Sequence, residues 1–281
     1  FPTLFIIPSG IGCAVGGYAG DGIPSARLIA AASGLLITHP NVMNGGTLFW
    51  SEDKIQYVEG YGLDRFAKGE IGLKRIKKRK IGLLLDRNIE SELSQRHLEA
   101  ANACRATLGL DIGPVVRTEL PLKITLARAS TGSSWGSLRN PEVLMRAAER
   151  LIQEGVTAIA VVTRFPDNQT NKTLQAYRQG EGVDEVAGAE AVISHLLVKH
   201  FGIPCAHAPA LTSLPIDPNL DPRAAAEELG HTFLNCVLVG LSQAPDMVPL
   251  LDKFESQNEC PSDVLSVDDL GAVVVPDGAL G

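Results

Sequence analysis

The chain has 281 residues, of which 45% are hydrophobic and 20% charged, and its formal net charge is -7. That length and apolar share suit a globular protein with one large core or two smaller ones. The acidic balance argues against a nucleic-acid partner, and no apolar run reaches the roughly 18 residues of a membrane span.

The first element is a short apolar run, Leu4 to Ile7. It leads into the glycine-rich stretch Ser9-Gly-Ile-Gly-Cys-Ala-Val-Gly-Gly-Tyr-Ala-Gly-Asp-Gly22, and Pro24 to Ser33 then reads as a helix. Strand, glycine turn and helix in that order leave backbone N–H groups free at the positive end of a helix, which suits an anion. Gly10, Gly12, Gly16 and Gly17 are therefore candidates to hold a phosphate or carboxylate. A tight structural turn without a ligand is the alternative. A dinucleotide site fits less well. Val15 stands where G-x-G-x-x-G wants its last glycine, and His39-Pro-Asn41 follows the next strand where an acidic residue is wanted.

That next strand is Leu35 to Thr38. A position just after a strand is where α/β sheets place ligand groups, so His39 is a candidate base, metal ligand or hydrogen-bond donor, with a helix- or turn-capping histidine as the alternative. Asn41 and Asn44 are candidate substrate contacts or plain turn residues. Trp50 to Gly72 is weakly periodic. Lys74 to Lys80 carries six basic residues in seven. It reads as a solvated linker, with a polyanion patch or nuclear-type signal as the other reading. As a linker it separates an N-terminal α/β lobe, residues 1–73, from a C-terminal α/β lobe, residues 80–281. Replacing Lys77, Lys78 and Arg79 should then leave stability nearly unchanged.

The second lobe alternates cleanly. Ile81 to Asp86 is an apolar strand that delivers Asp86, and Glu90 to Leu108 has a helical pattern ending at Gly109. Val115 to Thr118 and Lys123 to Ala129 read as strands. Ser130-Thr-Gly-Ser-Ser-Trp-Gly-Ser137 is a second glycine-rich loop, and Asn140-Pro141 behind it signals a helix start. Ser133 and Ser134 are thus candidates for a second anion contact, in a crevice shared with the first loop. Residues 156–163 carry no charge and should form a central parallel strand buried on both faces, delivering Arg164 and Asp167. Asp184 is a candidate N-cap for a helix from Glu185 to Phe201, in which Glu190 and His195 are polar points and His195 reads as structural. In the strand from Ile203, Cys205 reads as packing and His207 as the functional residue. Ala272 to Val275 looks like a last strand.

Five scattered cysteines with no C-x-x-C pair read as reduced and intracellular. The N-terminal run lacks a basic n-region and is broken by Pro8 and Gly10, which does not read as a signal peptide. The expected location is the cytoplasm, or the plastid stroma if a targeting segment has been removed. No H-x-x-x-H or H-E-x-x-H spacing supports a metal, and no cofactor is assigned.

Several motifs resemble one family: residues 7–21, Thr38-His-Pro-Asn-Val-Met-Asn-Gly45, Gly132-Ser-Ser-Trp-Gly136, Ala187-Gly-Ala-Glu-Ala-Val-Ile-Ser-His195 and Pro204-Cys-Ala-His-Ala-Pro209. It is a family of uncharacterised α/β proteins from cyanobacteria and other photosynthetic organisms, catalogued as a domain of unknown function. The resemblance implies no activity. The residues themselves predict an α/β fold of mostly parallel sheets with helices on both faces, as two lobes or one large doubly wound domain. The leading functional expectation is a metabolic enzyme acting on a small anionic metabolite, phosphorylated or carboxylated. The two loops, Asn41, Asn44 and Arg164 would bind it, and His39, His207, Asp86 and Asp167 would move protons. A non-catalytic sensor of such a metabolite is the alternative, and a homo-oligomer is compatible with either.

Overall fold

Runs with neither charge nor alternation fold as strands covered on both faces, and two parallel sheets are built from them here. The structure, a computed structural model, describes residues 1–8, 22–43, 52–167, 171–212, 214–228, 233–250, 262–277 and 279. In chain order the strands are Pro2–Phe5 (β1), Leu35–Thr38 (β2), Ile55–Tyr57 (β3), Ile71–Lys74 (β4), Lys80–Leu85 (β5), Asp111–Arg117 (β6), Ile124–Arg128 (β7), Ser134–Leu138 (β8), Ala158–Arg164 (β9), Cys205–Ala210 (β10), Asp246–Pro249 (β11), Val264–Leu265 (β12) and Ala272–Val274 (β13). The α-helices are Ile23–Ser33 (α1), Pro40–Met43 (α2), Gly60–Ala67 (α3), Ser91–Leu108 (α4), Pro141–Gln153 (α5), Asn171–Arg178 (α6), Ala187–Phe201 (α7), Pro222–Glu228 (α8) and Leu234–Ser242 (α9).

One sheet runs β13-β1-β2-β3 and the other β10-β9-β5-β6, with every neighbouring pair parallel. The fold is therefore α/β, as the sequence predicts. β11-β4-β12 is a small antiparallel sheet, and β7-β8 is an antiparallel hairpin. The predicted central strand begins two residues late. It lies between β5 and β10, and all its residues but the last are buried.

Alternation within β10 sorts its side chains. Ala206, Ala208 and Ala210 pack in one core with Ala158, Ala160 and Val162 of β9 and with Leu234, Val237 and Leu238 of α9. Cys205 packs on the opposite face with Ala189, Ile193 and Leu197 of α7 and with α5. His207 shares that second face, which turns it toward α7. The alanines let α9 approach closely. The same helix meets the first sheet where Gly240 leaves room only for the Tyr57 ring.

Two expectations change here. Ser130–Ser137 does not lead into α5: it is the turn of the β7-β8 hairpin and the first part of β8. Asn140 makes no side-chain cap bond; its Nδ2 donates to Pro121 O at 2.7 Å. The basic run is not uniformly solvated either. Lys77 and Lys78 are exposed, whereas Arg79 is only 4% exposed. Arg79 donates to Ala244 O (3.1 and 2.8 Å) and Thr157 O (2.8 Å), and pairs with Asp246 at 2.8 Å.

The start of α7 is pressed onto β8. A Cβ at Gly188 would collide with Trp135 Cα and Ser134 O, and one at Gly136 with the Ala189 side chain. Ser134 Oγ accepts from Gly188 N at 3.2 Å. Both obstacles at Gly188 are backbone atoms, so relief requires the helix to move. Gly188→Ala is expected to destabilise by about 1–3 kcal/mol, read as a lowered urea midpoint with an unchanged slope.

Candidate functional site

The ends of β2 and β3 in one sheet face α7 and β10 of the other. Between them lies a cavity of about 120 Å³, lined by His39, Asn41, Glu59, Asp184, Glu190, Ser194, His195 and His207 together with Pro40, Gly60, Ala187 and Ala191.

One wall follows directly from β2. Thr38 Oγ1 donates to Phe5 O at 2.8 Å, and Asn41 Nδ2 donates to Ile7 O (3.0 Å) and Pro8 O (3.3 Å). Ile7 N donates to His39 Nε2 at 3.0 Å, so neutral His39 carries its proton on Nδ1. Burial lowers the pKa of His39 to about 4. Three side chains of a four-residue segment thus fasten the end of β1. Glu59 stands just past β3 as the N-cap of α3, accepting from Gly60 N at 3.1 Å. It also shares a hydrogen bond with Ser194, and burial raises its carboxyl to about 7.

The facing wall belongs to α7. The helix begins at Ala187, so Asp184 is not its N-cap residue as expected. Its Oδ1 instead accepts from Val186 N at 3.0 Å. Burial, followed by repulsion from Glu190, raises Asp184 to about 7. Glu190 lies in the first turn of α7, and burial raises it to about 8. Its Oε1 is 3.3 Å from His207 Nδ1, and His207 Nε2 is hydrogen-bonded to Thr163 Oγ1. Burial lowers His207 to about 3. A low histidine and a high carboxyl describe a neutral hydrogen-bonded pair rather than an ion pair.

That pair has two settings. Ionised Glu190 accepts from Nδ1–H while Nε2 takes the Thr163 proton. Protonated Glu190 donates to Nδ1, and Nε2–H then donates to Thr163 Oγ1. His207, its side chain 1% exposed, is enclosed behind Glu190, whose side chain is 25% exposed. Phe165 closes over the His207 ring at 5.3 Å between centroids. His195 sits against Tyr61 at 5.7 Å, and burial lowers its pKa as well.

Of the residues given a catalytic or binding role from the sequence, His39, Asn41 and His207 meet at this cavity. Asp86 does not line it. It is fully buried and its carboxylate is used up by Leu122 N and Asn88 N (both 3.1 Å) and Arg164 N (3.3 Å). Arg164 is held by Glu90 (2.9 Å) and Asp167 (2.6 Å), which lowers both carboxyls. Its guanidinium is committed to them rather than turned to the cavity, and Asp167 is further held by Thr212 at 3.0 Å. Ser133 bonds Thr131, and Ser134 lines a separate groove of about 500 Å³ along β7 with Pro166 and Glu185. Gly10, Gly12, Gly16, Gly17 and Asn44 lie outside the described residues. Cys205 is buried, and burial raises its thiol far above the usual range, so it is a packing residue.

Glu59 and the acid role of Asp184 and Glu190 were missed in the sequence. Glu190 and Ser194 stand four apart and share one face in the first, otherwise apolar part of α7; that was the available signal. Glu59 follows a buried strand as His39 does, and the same rule would have found it. Among the described residues no group of three or more His, Cys, Asp or Glu side chains is arranged to hold a metal.

A family model described as a protein of unknown function (DUF3326) matches residues 2–281. An uncharacterized lipoprotein of Synechococcus sp. is 53% identical over 279 residues, covering 99% of this chain and 76% of that protein. No solved structure matches. The resemblance to an uncharacterised family present in cyanobacteria therefore holds. The expected cytoplasmic location does not: this relative is named a lipoprotein, which implies attachment to a membrane. Among the described residues no helix is long and apolar enough to cross one.

Proposed function

The chain belongs to the DUF3326 family, and with its chemistry resting on the site alone we propose that it is an enzyme moving protons on a small carboxylated or phosphorylated metabolite. The observation that carries this reading is Glu190, backed by His207 and Thr163, in one cavity with Glu59 and Asp184. Carboxyls that burial holds well above the ordinary carboxylate range can supply both the acid and the base near neutral pH. Glu190 in its acid form donates a proton to a substrate oxygen or nitrogen. Glu59 or Asp184, ionised, removes one. His207 positions Glu190 in either state.

The anionic end of the substrate is assigned to the glycine-rich stretch. Support comes from its two flanks: Pro8 is held by Asn41, and a Cβ at Gly22 would stand 2.6 Å from Ile7 Cδ1 and 3.4 Å from Val42 Cγ1. Both flanks adjoin the His39–Asn41 wall.

A panel of small carboxylated and phosphorylated metabolites, screened by thermal shift and then by turnover and hydrogen–deuterium exchange in D2O, tests the reading. At least one should react. Its rate should rise as the base ionises through about pH 7 and fall as the acid is lost above about pH 8. Ligands that bind without turnover or exchange would make the protein a sensor instead.

A further inference from the structure

Resting on the reading just given, we propose that Thr163 is the residue that fixes where Glu190 carries its acid proton. By donating its hydroxyl hydrogen to His207 Nε2, Thr163 keeps the ring hydrogen on Nδ1. Nδ1–H then occupies Glu190 Oε1, and protonated Glu190 is left with its hydrogen on Oε2.

Strand register brings Thr163 to His207. His207 of β10 stands opposite Val161 of β9, so Thr163 is its diagonal neighbour on the same face. Thr163 is fully buried, and its Oγ1 has one hydrogen-bond partner among the described residues, His207 Nε2. In a helix a threonine hydroxyl can turn back to the carbonyl four residues earlier. On a strand the carbonyls point along the sheet into the ladder, and that outlet is closed.

A single partner decides the direction of the bond. A hydroxyl has one hydrogen to give and two lone pairs to accept with. If Nε2–H donated to Oγ1, the Thr163 hydrogen would be buried without an acceptor, and stranded buried donors are costly. If Thr163 donates, Nε2 accepts and Nδ1–H meets Glu190 Oε1, 3.3 Å away. Every hydrogen then has an acceptor. A doubly protonated ring fails for the same reason as the Nε2–H ring, because it too turns a hydrogen on Thr163.

The arrangement separates the two oxygens of Glu190. Oε1 is committed to His207, and Oε2 has no protein partner among the described residues. Glu190 lines the cavity, with His207 enclosed behind it. A hydrogen on Oε1 would be held between carboxyl and ring, and its release would require breaking that bond. A hydrogen on Oε2 passes directly to a substrate oxygen or nitrogen. The O–H bond breaks, its electron pair stays on the carboxylate, and Oε1 keeps its bond from Nδ1–H. The hydrogens of His207 and Thr163 do not move. Thr163 touches no substrate and is a positioning residue.

Nitrogen-15 NMR of the ligand-free full chain at pH 7 reads the tautomer, because a ring nitrogen bearing hydrogen and a bare one resonate far apart. His207 is recognised by contacts of its ring protons with the Phe165 ring, 5.3 Å away between centroids. Its hydrogen should sit on Nδ1 with Nε2 bare, and Thr163→Ser should preserve this. Thr163→Val removes the selecting hydroxyl, so the Nε2–H form should become populated. With the metabolite that reacts, the turnover number of Thr163→Val should fall about tenfold at a nearly unchanged KM, and Thr163→Ser should restore it. A wild-type ring with hydrogen on Nε2, or on both nitrogens, overturns the proposal. So does a Thr163→Val protein of wild-type circular dichroism that keeps the wild-type tautomer or the wild-type turnover. The NMR readout needs no substrate and separates the two claims. A Thr163-dependent Nδ1–H ring with no reactive metabolite in the panel would sink proton transfer and leave the Thr163 arrangement standing. A reactive metabolite with an Nε2–H ring would do the reverse.

Discussion

Glu190→Gln is expected to lower turnover of the reactive metabolite by about 10²–10⁴-fold, the usual worth of one positioned acid–base group. The amide keeps the length of the side chain and an oxygen that accepts from His207 Nδ1–H, so the fold survives. A second readout needs no substrate. The Glu190 carboxyl titrates near 8 in the folded protein against an ordinary value of 4.5. Below about pH 4.5 it is neutral in both folded and unfolded chains and costs nothing. Between there and about pH 8 the unfolded chain gives up this proton and the folded one keeps it, so folding loses stability as pH rises. Glutamine has no such loss. The melting temperature of the variant should therefore gain on that of the wild type from pH 5 to pH 8.5. Equal pH profiles would mean that Glu190 is already ionised in the fold, and the acid role would fall.

Arg79→Ser is expected to cost about 3 kcal/mol, or on the order of 6–10 °C in melting temperature. The guanidinium holds Ala244 O, Thr157 O and Asp246 together from a position 4% exposed. Serine reaches none of them and leaves buried carbonyls without donors. Lys77→Ser and Lys78→Ser change exposed side chains and should each stay within about 0.5 kcal/mol. The three variants, compared by chemical denaturation, separate one anchoring residue from two solvated ones. An Arg79→Ser protein as stable as the wild type would make the whole run a linker after all.

Much of the frame was legible in the sequence because burial on both faces has a plain signature. Residues 156–163 admit no charge, and all but the first two of them lie in the strand between β5 and β10. Leu35–Thr38 and the polar segment behind it marked one wall of the cavity for the same reason. The hairpin was not legible. Its turn is rich in serine, threonine and glycine, and Pro141 beyond it suggested a loop feeding a helix. Arg79 was hidden by its neighbours, since a run of charge does not say which side chain turns inward at the mouth of β5. The site was half legible. Residues following β2 obeyed a rule about strand ends, but Glu190 reaches the cavity from a helix, and only packing of α7 on β10 brings it to His207. Arg164 and Asp167 did emerge at a strand end, where they spend their charge on one another and on Glu90.

The pairing of β1 with β13 bears on how the chain is made. Sheet β10-β9-β5-β6 has all its strands once residue 210 has left the ribosome. β1 lies between β2 and β13, and β13, which spans residues 272–274, is made long after it. β1 is thus made well before its second neighbour and waits for it to be enclosed. Through most of translation it presents an unpaired apolar border, the kind of surface that recruits strands from neighbouring chains. Nascent protein would be most vulnerable to aggregation there, and shielding of that border by a chaperone would matter more for yield than the strength of the finished core.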